Sequence, residues 1–440
     1  VPNPRSAITA LQQTLELSQD AAGQSLAASR RRQGHVVRDG EMAERENSRS
    51  AAPGVSPVGA ASDGPCGAGE PMGPDTRGMN MLKALVIGGG IHGVASALLL
   101  SKKGLGVTLL EKKEDLLCGV SGATHGRAHI GYHYPRSIET ALECQQGLRY
   151  FQEYYPKALV YPSTGLYAIA KEESKTTVGG FKEFCRAMGL PILRPAYCAM
   201  EDGLLCMERL SACFTCFETV YDVQWMRARL WRELAEQHVR VETESEVAVV
   251  HKDDRFTLIT KELQRHEADI VVNATYTETN RILKFFGQPL IPYRLQTTEV
   301  VMVLGPDQFR DLPSMTILDG PFCSILPQPR EQGMYLAYHV LHSVVTEESG
   351  FFYSPPTPKV SNWPEIQEGL AVFFPFAEDL TKVRSLWGSR PIPQDVEGDS
   401  RQTRVMSHSR GLYSILEGKF ISAFTAAEKV WKLIQEQWFF

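Results

Sequence analysis

Three glycines in the pattern Gly88-x-Gly90-x-x-Gly93 stand between an apolar stretch at 83–87 and a helix-patterned stretch at 91–103. In that context each has a chemical purpose: a tight turn, close approach of a pyrophosphate to the backbone, and close packing of helix on strand. The free N–H groups and dipole of the helix start then favour an anion. Glu111 ends the next apolar stretch, 106–110, where a carboxylate accepts hydrogen bonds from two ribose hydroxyls. Ala97, Leu100, Gly104 and Val107 continue the pattern. This much specifies a bound adenosine diphosphate and leaves FAD and NAD open. The Glu111 charge disfavours the 2′-phosphate of NADP, an argument that Lys112 and Lys113 weaken.

A second concentration of chemistry lies at His129, Tyr132, His133, Tyr134 and Arg136. If the segment is extended, alternation puts His129, Gly131 and His133 on one face and Tyr132, Tyr134 and Arg136 on the other. One face is expected to line a site, with Arg136 suited to an acidic substrate. The competing reading makes the histidines structural hydrogen-bonding groups and Arg136 a surface charge at a helix start. Tyr338, His339 and His342 are further candidates. Cys213 and Cys216 form a C-x-x-C within a strand-like run, so their side chains point to opposite faces, and no second pair completes a zinc site. No metal is expected.

The elements that must position these groups follow from periodicity. Strand, helix and strand at 83–87, 91–103 and 106–110 make a βαβ unit. A helix follows at 137–155, a strand at 164–170 and helices at 180–188 and 224–237. Strand character runs through 239–250, and 269–274 is a nearly continuous apolar run of the kind buried on both faces. From 299 to 345 strands dominate, as in an antiparallel substrate sheet. A strand at 411–416 and a helix at 422–437 close the chain.

Residues 1–78 lack lysine and are rich in Ala, Ser, Gly, Pro and Arg, which predicts a disordered leader. Arg30-Arg-Arg32 suits organelle targeting, whereas Asp39, Glu41, Glu44 and Glu46 oppose it. The full chain of 440 residues is 43% hydrophobic and carries a net charge of −5, with its cations scattered. A nucleic-acid partner is not expected, and a small-molecule substrate is. Nine cysteines at irregular spacing read as reduced thiols, hence an intracellular, cytoplasmic location. The least polar stretch, 84–100, contains four glycines and is read as strand, turn and helix rather than a membrane span.

Past Glu111 the sequence narrows the cofactor. The segment Glu111 to Gly122, with its Gly/Ser-rich end, resembles FAD-containing oxidoreductases, and Ser121 to Ser137 resembles the flavin-contacting stretch of the D-amino-acid oxidase and glycerol-3-phosphate dehydrogenase superfamily. Glu218 to Asp222, Val271 to Thr275, Gly388-Ser-Arg-Pro391 and Gly411 to Phe420 resemble further family segments in the right order. The closing motif, with Glu417-Gly418-Lys419, leans toward the glycerophosphate dehydrogenases.

The resemblance implies an α/β fold with a Rossmann-like FAD-binding domain and a smaller, mainly antiparallel β substrate domain. FAD-binding parts are expected at about 81–160, 218–285 and 380–435, and substrate parts at about 161–217 and 286–379. It implies FAD contacts at Gly88, Gly90, Ile91, His92 and Gly93, at Glu111 and Lys112, and in the loop at Ser121, Gly122, Thr124, His125 and Gly126. Ala274, Thr275, Arg390, Gly418, Lys419 and Phe420 complete the cofactor set. His129, His133, Arg136 and Arg390 are the catalytic candidates. The implied reaction moves hydride from a small amine, amino acid or hydroxy acid to the flavin, with oxygen or another electron acceptor. The alternatives are net non-redox or group-modifying chemistry on a larger substrate, and a FAD-stabilised binding protein with a dead site.

Overall fold

The computed structural model describes residues 81–440 apart from 161–164, 193, 196–202, 308–311, 355–356, 358, 395–400, 417 and 440. The expected leader at 1–78 lies outside the described residues, as does Glu417.

The first βαβ unit forms as its periodicity predicts: strand Lys83–Ile87, helix Ile91–Lys102 and strand Gly106–Leu110. These strands sit in a six-stranded sheet ordered Arg404–Ser409, Leu412–Leu416, Ile270–Asn273, Lys83–Ile87, Gly106–Leu110, Arg240–Glu242. Every neighbouring pair is parallel except the first. Ile270–Asn273 is buried along its whole length because helices and loops cover both faces, which accounts for its unbroken apolar run. Helices Ile91–Lys102 and Ala423–Trp438 share one core, in which Val94 and Leu98 join Val430 and Ile434.

The expected strand stretch 239–250 divides. Arg240–Glu242 is an edge of the parallel sheet, and Val247–Lys252 joins a separate three-stranded antiparallel sheet. Glu244, at φ 54°, turns the chain between them.

The second large element is a nine-stranded sheet, mainly antiparallel as expected from sequence. It is antiparallel apart from the pairing of Ser314–Leu318 with Gly165–Ala170. Its longest pairing joins Tyr293–Leu304 to Thr381–Pro393, setting Gln296 opposite Arg390. The chain therefore stays in this sheet past residue 380 and re-enters the parallel sheet at Arg404, later than the expected boundary. Alternation along Gly165–Ala170 sends Tyr167 and Ile169 into the core shared with the parallel sheet, and Leu166 and Ala168 into a second core under helix Trp363–Ala371. Cys216 enters the first core and Cys213 the second, on opposite faces as expected; neither forms a disulfide. Among the described residues no group of side chains could hold a metal ion, and no helix is long and apolar enough to cross a membrane.

Candidate functional site

The turn after the first strand is built around backbone contact. Gly88 has φ +107°, and a Cβ on it would lie 2.6 Å from the Ala274 carbonyl oxygen. A Cβ on Gly93 would fall 1.8 Å from the Gly88 oxygen, so helix and strand meet at a distance only glycine allows. Gly90 is the helix N-cap; no side chain caps its turn through that residue and no acidic residue occupies the first turn. The loop expected to return to this point does so: the Ile91 N–H donates to Ser121 Oγ at 3.1 Å. Glu111 closes the second strand with its carboxylate already engaged, Oε2 accepting from Gly89 N at 2.5 Å and Oε1 from Lys113 N at 2.8 Å. Each carboxylate oxygen retains a further lone pair for a hydroxyl donor.

Together these groups line a cavity of about 460 Å³. Of the residues expected at the cofactor, Gly88, Gly90, Ile91 and His92 line it from the turn, and Glu111, Lys112, Ser121 and Thr124 from the loop. Ala274, Thr275, Gly418, Lys419 and Phe420 line it from the far side. Gly93, Gly122, His125, Gly126 and Arg390 do not. Gly93 lies beneath the turn, and Gly122 packs so tightly that a Cβ would meet the Leu117 oxygen at 2.5 Å. The Gly126 carbonyl accepts from Tyr221 N at 2.7 Å. Sequence reasoning missed Tyr353, Lys359, Trp387 and Ser389, which reach the cavity from the large sheet and its connections. Trp387 and Ser389 flank Gly388 of the quoted motif; Tyr353 and Lys359 carried no local pattern.

Toward the closing motif, Thr124 Oγ1 and Tyr221 Oη lie 2.6 Å apart, and Phe420 stacks on Tyr221 with ring centroids 4.0 Å apart. Burial pushes His92 down to about 4. Its Nε2 is buried without a hydrogen-bond partner among the described residues.

The run 129–136 is not extended. Tyr134 N donates to the Gly131 carbonyl at 3.0 Å, with Gly131 at φ +131°, and the resulting turn brings Tyr134, which alternation would put on the opposite face, to His129. The His129 ring lies 5.4 Å from His133 and 5.2 Å from Tyr134, centroid to centroid. Lys419 Nζ sits 4.8 Å from the centre of the Tyr134 ring. Burial, then the nearby His133, Lys419 and Arg127, hold His129 well below the ordinary histidine value; burial, Arg127, Lys419, His125 and Arg401 do the same to His133. His125 falls to about 3 through burial, with Arg127 and Arg390 adding to it. Among the described residues His125 Nε2, His129 Nδ1 and His133 Nδ1 are buried without partners.

The two candidate arginines differ. Arg136 grips Asp319, Nε to Oδ2 at 2.5 Å and Nη2 to Oδ1 at 3.3 Å, and it does not line the cavity. Its charge is met by a carboxylate of its own chain, which removes the reason for it to anchor an acidic substrate. Arg390 donates from Nε to Gln296 Oε1 at 2.6 Å and hydrogen-bonds Tyr338, whose ring meets the edge of His125 at 4.5 Å. No carboxylate pairs with Arg390 among the described residues. Burial lowers its pKa, Tyr338 opposes that, and the Arg401 charge lowers it further. A third arginine, Arg127, was not singled out from sequence: it is buried against Glu218 at 2.6 Å, with Tyr167 and Thr316 completing its bonds. His339 and His342 line a different cavity with Glu208 and Glu368, so of the three further candidates only Tyr338 joins His125.

The glycine cradle, the uncapped helix start and the orphaned nitrogen of His92 fit a dinucleotide carrying a further ring system. Residues 83–418 match the family described as FAD dependent oxidoreductase. The chain is 26% identical over 393 residues to the FAD-dependent monooxygenase kojA of Aspergillus flavus, spanning 82% of this chain and 87% of that protein. A mitochondrial L-2-hydroxyglutarate dehydrogenase of Caenorhabditis elegans is 37% identical over 106 residues, 23% of this chain and 24% of that one. Among solved structures, glycine oxidase from Geobacillus kaustophilus superposes with TM-score 0.64 at 18% identity, covering 81% of this chain and 96% of that one. L-alpha-glycerophosphate oxidase from Mycoplasma pneumoniae with FAD bound gives 0.67 at 17% identity, covering 81% and 95%. Turn, loop, closing motif and fold thus converge on one conclusion: the chain belongs to the FAD-dependent oxidoreductase family, and FAD is its cofactor.

Proposed function

We propose that the protein oxidises a small hydroxy acid or amino acid, taking hydride from the carbon that bears the hydroxyl or amine, with Arg390 holding the substrate's anionic group. The observation that carries this reading is Arg390 itself, a largely enclosed guanidinium that is oriented by Gln296 and Tyr338 and has no carboxylate partner among the described residues. A cation kept out of water without a counter-ion is costly, and an anionic ligand relieves the cost.

The remaining assignments follow the cavity. Gly88, Gly90 and Ile91 receive the pyrophosphate, with Gly93 letting helix and strand close beneath it, while Glu111 with Lys112 flanks the ribose. His92, Ser121, Thr124, Ala274, Thr275 and Gly418 to Phe420 surround the flavin end, and Gly122 and Gly126 shape the loop behind them. FAD supplies the hydride acceptor, and the chain supplies position and charge. His125, neutral and adjacent to Arg390, offers Nε2 to the substrate. Burial is the main cause of the low His125 value, with Arg127 and Arg390 adding to it; an anion on Arg390 offsets the Arg390 part and so raises the basicity of the imidazole when substrate is present.

Anaerobic mixing of the holoenzyme with a panel of 2-hydroxy acids and amino acids tests the reading: a substrate bleaches the flavin absorbance. The curated monooxygenases favour a second reading, in which an external donor reduces the flavin before oxygen is used. In that case no member of the panel bleaches the flavin and a reduced nicotinamide does.

A further inference from the structure

Gln296 stands between two charged side chains in the nine-stranded sheet. Strand Tyr293–Leu304 pairs on one side with Thr381–Pro393 and on the other with Val344–Gly350, and the residue opposite Gln296 is Arg390 on the first and Glu347 on the second. Residues directly opposite in antiparallel strands project from the same face, so Arg390, Gln296 and Glu347 form one row across the sheet. The row is bonded throughout. Arg390 Nε donates to Gln296 Oε1 at 2.6 Å, Gln296 Nε2 donates to Glu347 Oε2, and Glu347 Oε1 lies 3.5 Å from Arg294 Nη1.

The two neighbours fix the amide between them. A guanidinium only donates and an ionised carboxylate only accepts, so the oxygen of Gln296 must face Arg390 and its nitrogen Glu347. Gln296 is buried, and reversing the amide would set donor against donor and acceptor against acceptor out of reach of water. Charge is ordered along the row as well. Arg294 and Glu347, both half-exposed, offset each other at one end, the amide is neutral, and the charge of Arg390 is left unmatched at the other. A carboxylate at position 296 would hold Arg390 as firmly but cancel that charge.

We propose that Gln296 and Glu347 are positioning residues for anion recognition: Glu347 orients the Gln296 amide, and the amide holds Arg390 without neutralising it, which reserves the guanidinium for an anionic group of the substrate. This rests on the anchoring role of Arg390 given above.

The test uses the FAD-bound enzyme, with butyrate and its uncharged counterpart butyramide as probes and the perturbation of the flavin spectrum as the readout. Wild type is expected to bind butyrate about tenfold or more tightly than butyramide, since a charged hydrogen-bonded contact is worth that factor, and Arg390→Gln should erase the preference. Gln296→Glu should weaken butyrate by about tenfold while leaving butyramide affinity and flavin content unchanged. Glu347→Ala, at a half-exposed position on the terminal strand, should lower the preference by about threefold, the worth of a modest hydrogen bond. Glu347→Gln should restore part of it, because an amide oxygen can still accept from Gln296. If Gln296→Glu fails to fold, the Glu347 variants decide. Retention of the wild-type preference by Gln296→Glu or by Glu347→Ala, with Arg390→Gln still losing it, overturns the proposal and leaves Arg390 as the anchor. So does an equal weakening of both probes, which a purely structural role would give. A wild type without the preference, or an Arg390→Gln enzyme that keeps it, overturns the anchoring role and this proposal with it.

Discussion

The cofactor cradle and the substrate side are built by opposite strategies. The cradle is assembled by neighbours in sequence: a strand end, three glycines, a helix start and a loop that reaches back from Ser121 to Ile91. Backbone groups do most of its work, so the residues must above all be small or absent. The substrate side proposed for Arg390 and His125 is assembled from distant strands and turns, with Arg390 held by Gln296 across paired strands and His125 packed on Tyr338. Its chemistry lies in side chains whose partners are decided by pairing and register. Damage to the cradle should remove the cofactor, and damage to the substrate side should leave a yellow protein that no longer turns over.

The largest effect belongs to the cradle. Gly93→Val sets a branched side chain where even a Cβ falls 1.8 Å from a carbonyl oxygen of rigid backbone, so helix and strand must separate. Loss of bound FAD and of soluble, folded protein is expected, at a cost of several kcal/mol; flavin absorbance per chain and a melting curve measure it. Normal FAD content in this variant would break the comparison.

On the substrate side, Arg390→Ala should cost roughly 2 to 5 kcal/mol in kcat/KM, the range for losing one partner of an enclosed charge pair, with FAD content unchanged. Steady-state kinetics at saturating FAD check it. Acid should act on both the cradle and the substrate side. Folded-state values of about 4 for His92 and about 3 for His125 lie below the ordinary histidine value, and His129 and His133 are depressed as well. The fold therefore keeps these rings neutral where the unfolded chain takes up protons. Stability is full above the unfolded value near 6.5 and falls as pH drops below it, levelling only near the folded values, at about 1.4 kcal/mol per pH unit for each such ring. Melting temperature measured from pH 7 to pH 5 should fall, and replacing His125 with glutamine should make the fall shallower.

Glu111→Ala sharpens the comparison from the cradle side. It should weaken FAD binding about tenfold, the worth of a charged hydrogen bond to the ribose, as read by titration of apoprotein. The smallest effect is expected for Arg136→Ala. The Arg136–Asp319 pair is partly exposed, so about 1 kcal/mol or less of stability should be lost, with flavin reduction unchanged.

The same contrast explains what was legible beforehand. The placement of Gly88, Gly90, Glu111 and Ser121 around one cavity could be read because each owes it to spacing within one βαβ unit and its loop. Arg136 could not, because its partner Asp319 is 183 residues away and only folding reveals that its charge is already met. The face assigned to His129 and His133 assumed an extended backbone, and the turn at Gly131 overrode that assumption. The buried Arg127–Glu218 pair belongs to no local pattern; tertiary packing alone brings its partners together. In the fold, strands with a clear period were found where expected, whereas 239–250 failed because one apolar stretch served two sheets.

The most direct test of the division between cradle and substrate side is flavin reduction under anaerobic conditions, at matched FAD occupancy, for wild type, Glu111→Ala and Arg390→Ala with the best substrate of the panel. The account predicts that Glu111→Ala, once saturated with FAD, is reduced at the wild-type rate, while Arg390→Ala keeps its flavin and is reduced far more slowly at low substrate. An Arg390→Ala enzyme reduced as fast as wild type, or two variants that lose reduction equally after saturation with FAD, would contradict it.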